Sequence, residues 1–212
     1  MNSVILNQSN SMDPSYNFAH VNWFHSDSAF NTLYPPDIQL LAGQHWTPLD
    51  VAIEAGRYLA GNEKVKILDI GSGVGKFCLA AAHVTPRAFY YGIEQRKTLV
   101  GHAEKARAML ELDNVSFIHG NFTQLSLKNF DHFYFYNAFY ENLAGTDKID
   151  DSIDYSRELF NYYNHYLFKQ LELKPRGTRL CTLCSWGDEI PPGFHMVNSE
   201  MNGILKFWVK GS

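Results

Sequence analysis

From residue 61 onward, short apolar runs alternate with longer stretches of mixed polarity. Val65 to Ile70, Phe89 to Ile93, Val115 to His119, Asp131 to Tyr136 and Leu180 to Ser185 are rich in aliphatic and aromatic residues and predict five strands. Between them, Lys76 to His83, Gln95 to Leu112 and Ile153 to Leu171 predict helices, the last with Tyr155, Leu159, Tyr162, Tyr163 and Tyr166 on its sides. Such alternation implies a parallel sheet covered on both faces. His195 to Val197 and Ile204 to Val209, either side of Asn202-Gly203, predict a closing hairpin. The expected fold is α/β: a doubly wound, mostly parallel sheet with helices on both faces and a C-terminal antiparallel hairpin.

Upstream the pattern is less regular. Residues 1 to about 20 are rich in Asn and Ser and are expected to be loose. Asp37 to Ala42 predicts a short helix, and His45-Trp46-Thr47-Pro48 opens a clearer one. Thr47 suits its cap, Pro48 its first turn, and Asp50 its positive end. Leu49, Ala52, Ile53 and Ala60 recur at helical spacing, and Gly61 ends the run.

With 212 residues, one domain of the larger sort is expected. Aromatics at 15% exclude a chain disordered throughout, which would lack such residues to bury. A net charge of −4 offers no broad basic surface, so nucleic acid is the less expected partner. Cys181 and Cys184 lie in a predicted strand, where positions three apart face opposite ways, and are expected to be buried reduced thiols. No second CxxC or paired His completes a metal set, so no metal is inferred. The first residues lack the basic start of a signal peptide, and no run reaches the ~20 apolar residues of a membrane helix. Reduced cytoplasm is the expected compartment.

The sharpest signal is Asp69-Ile70-Gly71-Ser72-Gly73-Val74-Gly75-Lys76, where a strand runs into three alternate glycines and then a helix. Glycine allows close backbone approach, and the helix N–H groups favour a negative or polar ligand group. A dinucleotide fingerprint needs a third glycine where Lys76 stands. A phosphate-cradling loop needs one more residue before Gly-Lys, then Ser or Thr instead of Phe77. Asp69 to Gly75 instead resembles the first motif of class I S-adenosylmethionine-dependent methyltransferases. The resemblance runs from about Val65 to Asn142. Glu94 ends the second strand where that family places an acid, whose carboxylate can accept bonds from both ribose hydroxyls. Asn121 and Phe122 follow the third strand, where the family reads adenine; many members have Asp in place of Asn121.

The resemblance implies S-adenosylmethionine as cofactor, held by Asp69, Gly71, Ser72, Gly73, Gly75, Glu94, Gln95, Asn121 and Phe122, with Thr47 closing from the N-terminal side. It divides the chain into an N-terminal extension with cover helices, 1–60, and a methyltransferase domain, 61–212. The segment Asn137-Ala138-Phe139-Tyr140 resembles the fourth motif of amino-group methyltransferases, although Ala138 departs from the commoner proline. Asn137 and Tyr140 are therefore the expected catalytic residues. The amide carbonyl aims a nucleophile, and the aromatic walls favour a cation. Locally the motifs are also similar to the seven-strand histone-lysine methyltransferases, without a basic tail for nucleosome contact. The expected acceptor is a small molecule or a protein side chain, an amine nitrogen among the options. Two alternatives are a nicotinamide-dependent Rossmann oxidoreductase, disfavoured by Lys76, and a noncatalytic adenosyl-ligand-binding protein.

Overall fold

A computed structural model describes residues 22–211; the expected looseness of residues 1 to 20 lies outside them. The strands are β1 (Lys66–Ile70), β2 (Phe89–Glu94), β3 (Val115–His119), β4 (His132–Tyr136), β5 (Arg179–Leu183), β6 (Phe194–Glu200) and β7 (Leu205–Lys210). They form one seven-stranded sheet in the order β3-β2-β1-β4-β5-β7-β6. The first five pair in parallel, while β7 runs antiparallel to both β5 and β6. This is the Rossmann-like methyltransferase arrangement expected from the strand–helix alternation. The strand order reverses between β1 and β4, which opens a crevice beyond their carboxyl ends.

The helices are α1 (Asp27–Asn31), α2 (Pro36–Gln39), α3 (Ala42–His45), α4 (Leu49–Ala60), α5 (Lys76–Val84), α6 (Lys97–Met109) and α7 (Arg157–Glu172). On one face, α4, α5 and α6 bury Leu59, Phe77, Leu79 and Ala103 against Ile67, Tyr90 and Tyr134. Phe77 stacks on Tyr134 with ring centroids 3.8 Å apart. On the other, Tyr163, Leu167 and Leu171 of α7 cover Leu68, Ile70, Phe133 and Phe135. Neighbouring residues of β1 thus feed opposite cores, which is why the strand reads as a continuous apolar run.

Several local expectations are corrected. Thr47 does not cap α4. Pro48 takes the cap position, Asp27 Oδ1 accepts the Leu49 N–H at 3.0 Å, and the Thr47 hydroxyl meets the Tyr134 hydroxyl at 3.0 Å beneath the sheet. The helix expected over 37–42 is two short pieces, α2 starting at Pro36, whose fixed φ suits a first turn. The helix expected from Ile153 starts at Arg157, where Ser156 Oγ accepts the Leu159 N–H. β5 ends at Leu183, because Cys184 turns the chain with φ 54°. Cys181 is buried as expected, but Cys184 is exposed. Among the described residues, no helix is long and apolar enough to cross a membrane.

Candidate active site

The loop after β1 is tight because two of its glycines leave no room for a side chain. A Cβ on Gly71 would lie 2.3 Å from the Ala138 Cβ, and one on Gly75 2.3 Å from the Phe117 ring. Both have positive φ, which only glycine adopts without strain. The Gly71 and Ser72 N–H groups donate to the Ile93 carbonyl at 3.0 Å, which fixes the loop against the end of β2. There the Glu94 carboxylate accepts the Gly73 N–H at 3.1 Å and the Arg96 N–H at 2.8 Å. Burial raises the Glu94 pKa; these N–H donors and the Arg96 charge oppose the rise.

Arg96 is 5% exposed and binds groups from three chain segments. Its guanidinium lies 3.6 Å from Glu94, 2.5 Å from Glu141 and 3.1 Å from Asp150, and donates to the Tyr155 hydroxyl at 2.6 Å. Burial alone would lower its pKa, but the carboxylates, Glu141 first, outweigh burial and raise it. The result is a cross-link from the end of β2 to the segment after β4 and to the loop before α7.

These pieces enclose a cavity of about 360 Å³ at the carboxyl ends of β1 and β4. One side is Gly71, Gly73, Ile93, Glu94, Gln95, Gly120 and Phe122; a second is residues 136–142; His45 and parts of 146–155 complete it. Asn137 leaves β4 with φ 43°, and its carbonyl accepts the Tyr140 N–H at 3.1 Å. The Tyr140 hydroxyl is buried without a hydrogen-bond partner, and its ring meets Trp186 edge-on at 5.1 Å.

Of the residues singled out from the sequence, Gly71, Gly73, Glu94, Gln95, Phe122, Asn137 and Tyr140 line this cavity. Asp69, Ser72, Gly75, Asn121 and Thr47 do not. Asp69 lies beneath the loop, where burial pushes its pKa up to about 8 and an oxygen faces the Cys78 Sγ at 3.7 Å. Ser72 is buried, and its side chain packs where a Cβ on Gly92 would lie. Gly75 packs on Phe117. Asn121 spends its side chain inside the protein: Oδ1 accepts from the Thr123 N–H and hydroxyl, and Nδ2 donates to Gln95 and Tyr163. Thr47 is held under the sheet by Tyr134. Sequence reasoning missed Arg96, Glu141 and Tyr155; the nearest signal was an arginine two places after the strand-ending acid.

Residues 62–148 match a family model described as a methyltransferase domain. Over 54 residues the chain is 46% identical to a tRNA (guanine-N(7)-)-methyltransferase of Microcystis aeruginosa, a match spanning 26% of each protein. That stretch is about a quarter of the relative's length. Among solved structures, an RNA methyltransferase from Salinibacter ruber, in complex with S-adenosyl-L-homocysteine, superposes with TM-score 0.55 at 22% identity, covering 79% of this chain and 94% of that one. A precorrin-6y C5,15-methyltransferase from Geobacter metallireducens gives 0.53 at 11% identity, covering 80% and 92%. Both share the fold. Residues 62–148 thus match a methyltransferase domain, and the sheet that carries them has the Rossmann-like fold of class I S-adenosylmethionine-dependent methyltransferases.

Proposed function

We propose that the chain transfers the methyl group of S-adenosylmethionine to a nucleophilic nitrogen held beside Asn137 and Tyr140. The observation that carries this reading is the meeting of three parts on one cavity: the glycine loop, the Glu94 carboxylate, and the Asn137–Tyr140 segment. The cavity suits the cofactor. Its volume falls in the usual range for small-ligand sites, about 300–1,000 Å³. Ile93 and Phe122 offer apolar faces to a base, and Glu94 offers two acceptor oxygens to a ribose. When bound, the cofactor supplies a methyl already activated on a sulfonium. The protein's part is then alignment and exclusion of water. The Asn137 amide carbonyl accepts a hydrogen bond from the acceptor nitrogen and points its lone pair into the cavity.

The acceptor has two readings. An amine nitrogen is favoured by the lining, which sets Glu94, Glu141, Asp147 and Asp154 against the single guanidinium of Arg96. A base nitrogen of RNA is favoured by the tRNA methyltransferase relative. The net charge of −4 does not remove that second reading, because a whole-chain sum says nothing of the potential along one groove.

Calorimetry with S-adenosylhomocysteine is the primary test. Wild type binds, and Glu94→Ala loses about tenfold or more in affinity, as expected for removing charge-assisted bonds of roughly 1.5–3 kcal/mol. Absent binding, or binding indifferent to Glu94, sinks the proposal. Asn137→Ala is expected to keep cofactor affinity while transfer falls; unchanged transfer removes Asn137 from the mechanism.

A further inference from the structure

The segment Asn137 to Tyr140 borders two adjoining spaces. Asn137, Phe139 and Tyr140 line the large cavity and also a narrow crevice behind it, formed where residues 185–189 fold back after β5. The crevice is about 10 Å³, room for a single group the size of a water or an ammonium. Its lining has a definite chemical character. Glu189 is 4% exposed, makes no ion pair among the described residues, and has one carboxylate oxygen on the Ser185 hydroxyl. Asp188 stands next to it, exposed. Trp186 is 72% exposed at the rim, with its ring against Tyr140, whose buried hydroxyl has no partner. Lys206 joins this network through the Ser185 carbonyl, to which its ammonium donates at 3.0 Å. Burial first, and to a lesser degree Asp188, raises the Glu189 pKa, while the Ser185 hydroxyl, its own backbone N–H and then Lys206 oppose the rise.

A buried carboxylate, an orphaned hydroxyl and two aromatic rings form a set that recognises a cation. The crevice takes one such charged head and nothing larger. On the proposed methyltransferase reading, we infer that the acceptor is a primary amine arriving as its ammonium ion, that its nitrogen is held at the border the two spaces share at Asn137 and Tyr140, and that Glu189 takes its proton. The chemistry balances. The ammonium gives one proton to Glu189 and regains a lone pair. That pair forms the N–C bond as the C–S bond breaks, and the C–S electrons remain on sulfur. The products are a methylated ammonium ion and a neutral thioether. Glu189 returns its proton to solvent past Asp188.

The test uses the full chain and S-adenosylmethionine labelled in the methyl group. Three acceptor pools are offered separately: n-alkylamines with Nα-acetyl-lysine amide, a lysine-rich protein, and total tRNA. Label is expected in amines, in the free pool or in the protein. Glu189→Gln is expected to lower kcat/KM for the labelled amine about 100-fold, the scale of a lost general base. It should also move the pH profile to the alkaline side, where solvent has already deprotonated the amine. S-adenosylhomocysteine affinity, read by calorimetry, stays unchanged and reports that the variant is folded. Asp188→Asn gives a smaller effect of the same sign. Label in tRNA alone, label in no amine, or a Glu189→Gln pH profile like that of wild type overturns the inference. Failure of wild type to bind S-adenosylhomocysteine overturns the methyltransferase reading itself.

Discussion

His132 begins β4 as a buried imidazole whose Nδ1 accepts the Arg179 N–H at 3.0 Å. Burial, helped by the charge of Arg179, pushes its pKa down to about 4. In the unfolded chain a histidine titrates near 6.5. Between about 4 and 6.5 the unfolded chain therefore binds a proton that the folded protein refuses. The associated stability is present above pH 6.5 and is lost as pH falls toward 4, by roughly 3 kcal/mol over the whole interval. His132→Asn keeps an acceptor near Nδ1 and removes the titration. Urea midpoints at pH 7 and pH 4.5 should differ less in the variant than in wild type; equal losses would refute the assignment. Asn121 was singled out for its place after β3, yet a short polar side chain there also meets a local need, bonding the backbone two residues on. Nothing in a linear pattern separates an amide spent inside the fold from one aimed at a ligand.

Two elements are held by charged clamps that the periodicity of the chain does not reveal. The first is α1. Lys76, at the first position of α5, is buried beneath it, and its ammonium contacts Asp27 Oδ1 and, at 3.1 Å, Asn31 Oδ1. It also lies 5.5 Å from the Phe30 ring and 5.7 Å from the Trp46 ring. Asp27 holds α4 as well, through the Leu49 N–H. Removing Asp27 leaves the buried ammonium only Asn31 and the two rings, so Asp27→Ala is expected to cost about 1–3 kcal/mol in denaturant unfolding. Lys76→Met fills the same space without a charge and should cost far less. Equal costs would mean that the pair does not act as a unit. The second clamp is Arg96, whose bonds to Glu141, Asp150 and Tyr155 hold the loop before α7 against the cavity. Arg96→Met leaves four acidic or phenolic groups, Glu94, Glu141, Asp150 and Tyr155, facing one another. Amide exchange in residues 142–155 should then accelerate at least tenfold while β1 and β4 stay protected; unchanged exchange would show that the loop is held by other means. This loop explains why α7 starts later than its aromatic spacing suggests: Tyr155 serves the clamp, not the helix.

Across the fold, the sheet was the most legible feature. β1 to β5 are covered on both faces, and continuous apolar runs between helical patterns mark such strands plainly. The glycine loop was legible too, because its constraint is local: a strand must turn and leave space. Contacts that complete the site are different in kind. Ala138 comes within reach of Gly71, and Trp186 within reach of Tyr140, only after crossovers bring distant strands together. The Ala138 departure from proline illustrates this. It reads as a local oddity along the chain, whereas in the fold its methyl sits in the place a side chain on Gly71 would need. The two loops therefore share one volume just large enough for a single methyl group. Sequences related to this one should not vary freely at these two sites. They should drift as a linked pair, each change at one constraining what is tolerated at the other, so that the loop after β1 and the segment after β4 are inherited together.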